Sequence, residues 1–186
     1  VGHGVGMAIR PEVVQRVVET QEEKRGTAFK IFLTPQGQKL DQMVAKELSE
    51  IFKTNEHIML FAARYEGIDE RAQSHYADLE ISIGDYVLMG GDVAVMALLE
   101  SVFRYVPGVV GRSESVDKDS FSGPFVDYPT YTVPPRQWKE MSIHDVLLSG
   151  NHEKIRRWRL KQALGRTWLR RPELLSTRVL SKEEAN

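Results

Sequence analysis

The sequence contains no cysteine. That excludes a thiolate nucleophile, a Cys-ligated zinc and a disulfide-stapled fold, so an ordinary apolar core must hold the chain together. No run of 18 apolar residues is present, and no cleavable signal pattern opens the chain. The expectation is a cytoplasmic protein with no membrane partner. Two phosphate-binding signatures are also missing: no GxxxxGKS/T loop, and no GxGxxG between a strand and a helix. His3, His57, His75, His144 and His152 are scattered, and Asp69 and Glu70 are neighbours that point different ways on a helix. No protein metal site, Ser-His-Asp arrangement or glycosidic carboxylate pair can be read from such spacings.

What is present is an uneven charge distribution. The 186 residues carry a formal net charge of −1, and a chain of this length can bury roughly 70% of its extended surface. Residues 1–149 hold 15 basic and 22 acidic side chains, whereas Gly150 to Arg178 hold nine Lys or Arg against Glu153 and Glu173. The near-neutral total therefore conceals two regions of opposite electrostatic character. A phosphate backbone is the simplest partner for the second region; the alternative is an exposed helix studded with arginines for solubility.

Apolar periodicity predicts alternating helices and strands. Pro11 opens a helix over 11–24 with Val14, Val17 and Val18 toward the core. Ala28 to Leu33 reads as a strand closed by a Thr34-Pro35-Gln36-Gly37 turn, and Asp41 to Phe52 as a helix through Met43, Val44, Leu48 and Ile51. A strand at His57 to Ala62, a short helix near Asp69 to Tyr76 and a β-like region over Leu79 to Leu88 follow. Asp92 then favours the start of a helix through Val95, Met96, Leu98, Leu99, Val102 and Phe103. This alternation argues for an α/β domain with a parallel sheet, whose strand-end loops at 34–37, 63–67 and 89–91 are the default binding crevice.

From Pro107 to Pro135 the composition turns to Gly, Pro and Ser. Loops of such length commonly act as lids or tethers, so Asp117, Asp119 and Asp127 are candidates for a group delivered by loop ordering; a solvated acidic linker is the alternative. After Pro135 the pattern is helical, with Ser142 capping Ile143 to Leu148 and Asn151 capping the basic helix. Glu153 stands four residues before Arg157, and Trp158 with Ile155 forms a face that packs on a neighbouring helix. Arg156, Arg159 and Lys161 project elsewhere and can meet phosphates.

Five blocks of sequence resemble the bacterial tRNA (guanine-N1)-methyltransferase family. They are Gly4-Val5-Gly6-Met7, Leu33-Thr34-Pro35-Gln36-Gly37, Arg64-Tyr65-Glu66-Gly67-Ile68-Asp69-Glu70-Arg71, the stretch Ile81 to Gly91, and Leu147 to Arg159. The resemblance implies a deep trefoil-knotted α/β fold of the SPOUT type, a departure from the rule that chains do not thread loops. It implies a knotted cofactor domain over 1–111 that is N-terminally incomplete at Val1, a catalytic linker over 112–135 and a small all-helical tRNA-binding domain over 136–186. It further implies an obligate homodimer that binds the anticodon stem-loop of tRNA rather than DNA, and methyl transfer to N1 of the guanine immediately 3′ of the anticodon. Magnesium is implied as a support of that activity.

Residue by residue, the resemblance places S-adenosyl-L-methionine against Leu33, Thr34, Pro35, Gln36, Ala63, Tyr65, Glu66, Ile83, Gly84, Tyr86, Leu88, Gly90 and Gly91. It makes Asp119 the proton acceptor and Arg104 the group that offsets charge on the guanine or clamps the linker carboxylate. Ser149, Asn151, His152 and Lys154 join Arg156, Arg159 and Lys161 as the tRNA-binding set. The sequence departs from the family pattern at His3, at Ala62-Ala63, and at Asp92 and Ala94. Two other readings remain open: a knotted ribose 2′-O-methyltransferase, which needs no linker carboxylate, and a tRNA-binding protein without catalysis.

Overall fold

The computed structural model describes residues 8–109, 120, 121, 123–176, 179, 181, 183 and 184. The chain divides into two compact units, Val1–Ser113 and Glu114–Asn186. The first runs α1 (Pro11–Arg25), β1 (Phe29–Lys39), α2 (Gln42–Thr54), β2 (Ile58–Phe61), α3 (Glu70–Tyr76), β3 (Leu79–Ser82) and α4 (Asp92–Phe103). Its three strands form a parallel sheet in the order β2-β1-β3.

Successive strand residues point to opposite faces of a sheet, so a central strand buried on both sides must be apolar at consecutive positions. Ile31 and Phe32 meet that demand, at 0% and 1% exposure. Ile31 packs with Val44, Ala45 and Leu48 of α2, Ile81 of β3, and Leu98 and Val102 of α4. Phe32 packs with Val14 and Val18 of α1 and Ala72 of α3, and its ring stacks on Phe61 with centroids 4.4 Å apart. Helices thus cover both faces of the sheet.

Local signals start and stop these helices where the chain needs them. Pro11 occupies the first turn of α1, and Gly26 ends that helix with φ of 81°. The Asp41 side chain accepts from the Val44 N–H at 2.9 Å, and Asp69 accepts from the Arg71 N–H at 3.0 Å. At the amino end of β1, the nearly buried Lys30 ammonium lies 2.9 Å from Glu22 and donates to the Ala28 carbonyl at 2.7 Å. The Ala28 N–H and then Lys30, hydrogen-bonded to Glu22, hold its carboxyl below the usual range.

Several expectations need correction. The Thr34 to Gly37 segment does not end the first strand: β1 resumes pairing with β3 at Gln38 and Lys39 after a register break following Leu33. Glu80 and Ile81 pass so close that a Cβ on Gly37 would lie 2.5 Å from their backbone. The third β-like region stops at Ser82, where the Ser82 hydroxyl turns the chain by bonding Gly84. Val17, Met43 and Met96 are exposed, not core; their neighbours Val14, Val18, Val44 and Leu98 are buried instead.

The second unit is not purely helical. A short antiparallel hairpin joins β4 (Gln137–Trp138) to β5 (Met141–Ser142), its turn made by Lys139 at φ of 55°. Ser142 is therefore a strand residue, and His144 caps α5 (Asp145–Leu148). The basic helix is α6 (His152–Arg170), followed by a 3-10 turn at Pro172–Leu174. Trp158 is half-buried against the His144 and Tyr131 rings, at 5.6 and 6.5 Å, and His144 is the N-cap of α5, which packs on α6. The buried Thr167 hydroxyl donates to Ala163 and accepts from the Val126 N–H at 3.0 Å, tying residues near 126 to α6.

Leu98 is fully buried in the main core and Met96, two residues away on α4, is 64% exposed. Leu98→Ala should destabilise the protein by about 2–5 kcal/mol, with Met96→Ala staying within about 0.5 kcal/mol. Urea unfolding of the two variants checks this contrast.

Candidate functional site

The carboxyl ends of the three strands open onto one cavity of about 390 Å³. All thirteen residues assigned to the cofactor line it: Leu33, Thr34, Pro35 and Gln36 from the irregular part of β1, Ala63, Tyr65 and Glu66 after β2, and Ile83, Gly84, Tyr86, Leu88, Gly90 and Gly91 after β3. Three sequence-distant loops meet there because parallel strands deliver their following loops to the same edge of the sheet.

The loops after β2 and β3 are joined to each other. Arg64 and Gly90 form an isolated antiparallel bridge, and the Gly91 N–H donates to the Ala63 carbonyl at 3.0 Å. The Arg64 guanidinium lies 2.9 Å from the Asp92 carboxylate, but both are exposed, so the backbone contact contributes more than the ion pair. Gly91 is required by space rather than by conformation. Its φ of −80° suits any residue, yet a Cβ there would sit 2.5 Å from that of Ala62. Gly84, at φ of 152°, would also drive a Cβ into the Tyr86 ring.

The cavity also has walls that the sequence pattern did not single out. Gly67 and Ile68 contribute from the segment before α3 and Glu70 and Gln73 from α3 itself, with Ile81, Ser82, Val87 and Ala94. The three-residue spacing of Glu70 and Gln73 puts them on one helical face, a usable signal once α3 is known to border the crevice. Asp69 serves the helix instead. Its carboxyl caps α3, and hydrogen bonds from Arg71 hold it below the usual carboxylate range.

Of the two residues assigned to catalysis, Arg104 follows α4 directly as its C-cap. Asp119 lies outside the described residues, as do Asp117 and the block Gly4-Val5-Gly6-Met7. Among the described residues no three His, Asp or Glu side chains converge to hold a metal ion, and no helix is long and apolar enough to cross a membrane.

The second unit presents the basic helix. Asn151 caps α6 by accepting from the Lys154 N–H at 3.0 Å, while the Ser149 hydroxyl accepts from the Asn151 N–H at 3.2 Å. His152, Lys154 and Lys161 are exposed. Glu153 pairs with Arg156 at 2.9 Å rather than with Arg157, and Glu183 also binds Arg156. That guanidinium is thus pushed further up from its ordinary pKa, and Glu153 is pulled down. Arg159 lies over the Tyr128 ring, 4.8 Å from its centroid.

Comparison with known proteins decides what this arrangement belongs to. The family model described as tRNA (Guanine-1)-methyltransferase TrmD matches residues 1–177. The chain belongs to the tRNA (Guanine-1)-methyltransferase family. Relatives named tRNA (guanine-N(1)-)-methyltransferase include one from Klebsiella pneumoniae, 48% identical over 185 residues that cover 99% of this chain and 71% of the relative. One from Sodalis glossinidius is 49% identical over 185 residues, with 99% and 72% covered. One from Escherichia coli is 48% identical, again with 99% and 71% covered.

Gly91→Val forces the Ala62 and Gly91 backbones apart and should cost roughly 1–3 kcal/mol of stability. Gly165→Ala, in α6, where an added Cβ meets nothing within 4 Å, should instead stabilise by about 0.4–1 kcal/mol. Differential scanning calorimetry of both variants reads the opposite signs directly.

Proposed function

We propose that this chain transfers the methyl group of S-adenosyl-L-methionine to N1 of the tRNA guanine immediately 3′ of the anticodon. Family membership over residues 1–177 supplies the reaction. The observation that carries the site assignment is the meeting of the three strand-end loops around a single cavity. The volume, about 390 Å³, lies within the usual range for small-molecule sites. The residues suit the cofactor chemically: buried, uncharged Ile81 and Ala94 can receive an adenosine moiety, and the exposed Glu66 and Glu70 carboxylates suit a cationic methionine moiety.

When bound, S-adenosyl-L-methionine supplies an electrophilic methyl group on a sulfonium. The chain's own residues supply the proton transfer and charge control. We assign Asp119 the N1 proton. A free Asp has a pKa near 4, so removing a much less acidic guanine proton demands that charge developing on the purine be offset. Arg104 offsets it at the guanine O6, or holds the linker carboxylate in place. No step is assigned to magnesium.

The finer architecture belongs to the same proposal. We assign residues 1–111 to a SPOUT trefoil-knotted domain, 112–135 to a linker that brings Asp119 to the substrate, and 136–186 to a tRNA-binding domain. An obligate homodimer is supported by exposed apolar residues along α4 and the loop before it: Met89 is 99% exposed, Val93 60%, Met96 64% and Phe103 39%. Such a stripe is costly to leave in water. The substrate implies a cytoplasmic enzyme.

Incubating the chain with labelled methyl donor and unmodified tRNA transcript, then digesting to nucleosides, should yield 1-methylguanosine. Replacing the guanine 3′ of the anticodon should abolish it. A 2′-O-methylated nucleoside, or no incorporation, would overturn the reading. Asp119→Asn should keep cofactor binding but lower the single-turnover rate by roughly 10²- to 10⁴-fold, with Asp127→Asn costing far less.

Removal of Lys154, Arg159 and Lys161 should weaken tRNA binding almost independently of sequence. The salt slope should fall by roughly 1 for every side chain among them that binds a phosphate. Arg156, already held by Glu153 and Glu183, should change the slope least. Filter-binding titrations at several salt concentrations measure both quantities.

A further inference from the structure

Arg104 stands at a helix end, in the turn where α4 tightens. The Tyr105 N–H donates to the Val102 carbonyl at 3.0 Å and the Val106 N–H to the Phe103 carbonyl at 3.1 Å. The last turn of a helix lacks the carbonyl hydrogen bonds of its interior and frays. What its neighbours hold on to therefore sets where a residue there stands. Both neighbours of Arg104 are held by α2. The Phe103 ring meets the Phe52 ring edge to face, with centroids 5.9 Å apart. Tyr105 packs against the core cluster of Leu48 and Leu98, and its hydroxyl accepts a hydrogen bond from the Gln42 carboxamide.

Gln42 is itself anchored to the wall of the cavity. It is the first residue of α2, directly after the Asp41 cap, and the Leu40 N–H donates to the Ser82 carbonyl at 2.7 Å. Gln38 and Lys39 pair with Ile81 and Ser82, both of which line the cavity. One short segment, Gln38 to Gln42, thus closes the irregular part of β1 that carries Thr34 to Gln36 and also grips the residue after Arg104. Apolar contact with the core holds the Tyr105 ring without regard to direction. A hydrogen bond to its hydroxyl is directional, so it fixes how the helix end is turned relative to the cavity.

We infer that the hydrogen bond between Gln42 and Tyr105 positions Arg104 for methyl transfer, an inference that rests on the role proposed for Arg104 above. Gln42 and Tyr105 are positioning residues: they act through the helix end that carries Arg104, and neither lines the cavity.

Single-turnover formation of 1-methylguanosine by the full chain, at saturating cofactor and tRNA, tests this directly. Tyr105→Phe and Gln42→Leu each remove the bond and should each lower the rate by about 3- to 10-fold, the factor that one hydrogen bond sets. Calorimetric titration with S-adenosylhomocysteine should give the parent affinity in both. Gln42→Glu, whose carboxylate accepts from the tyrosine O–H, should recover most of what Gln42→Leu loses. In an Arg104→Ala background Tyr105→Phe should cost nothing further, a result that a general effect on folding does not give. An equal loss with and without Arg104 would show that the contact serves the fold or another group. An unchanged rate in both single variants would show that packing alone holds the helix end, and weakened S-adenosylhomocysteine binding would move the contact's role to the cavity. Each of these three outcomes overturns the inference. If Arg104→Ala alone keeps the parent rate, the role given to Arg104 falls and this one with it, whereas a parent chain that forms no 1-methylguanosine removes the reaction itself.

Discussion

Burial of β1 on both faces is the constraint on which the first unit depends. Because consecutive residues of a strand face opposite ways, Ile31 and Phe32 each nucleate a separate apolar cluster, one with α2 and α4 and the other with α1 and α3. The strand can be central only if both clusters form. That arrangement puts β2 and β3 on either side in parallel, and parallel strands release their loops at a common edge. The cavity is therefore a consequence of how the sheet is buried, and its location requires no interaction with a ligand.

At that edge, close backbone approach does what side chains cannot. Gly37 admits the β3 backbone, and Gly91 admits the chain at Ala62 and Ala63. Each contact leaves no room for a methyl group, so glycine there is a matter of packing volume rather than of flexible dihedral angles. The residues between Ser82 and Gly91 are held at one end by the Ser82 turn and at the other by the Ala63 hydrogen bond. Exposed side chains such as Tyr86 and Met89 thus stand on an anchored loop. A site built this way is partly pre-organised, which lowers the ordering cost of binding.

Electrostatics in the second unit follow from local pairing more than from net charge. The surplus of arginines along α6 is real, but Arg156 is compensated by two carboxylates and Arg159 is laid over an aromatic ring. Lys154 and Lys161 remain exposed. A count of positive charges therefore overstates how many are equally available to a phosphate backbone. Their pairing decides which must give up a present partner before taking a phosphate.

The helices and strands of the first unit were legible because their signals are local: Pro11, Asp41 and Asp69 at helix starts, and the apolar runs of β1 and β2. The three strand-end loops were legible for the same reason, and the likeness of RYEGIDER and LLSGNH to a family supplied the chemistry that spacing alone did not reach. The hairpin at Gln137 to Ser142 was not legible, since its two-residue strands carry almost no periodicity. Resumption of β1 at Gln38 was hidden too, because it depends on β3, more than 40 residues away. Nor could spacing show that Gln73 is buried at the cavity wall or that Arg156 is taken by Glu183. By itself the sequence determined the kinds of elements, the candidate loops, the family and the basic segment. Only the tertiary structure decided which residues meet, because close approach, burial and charge pairing depend on distances between segments that no local pattern encodes.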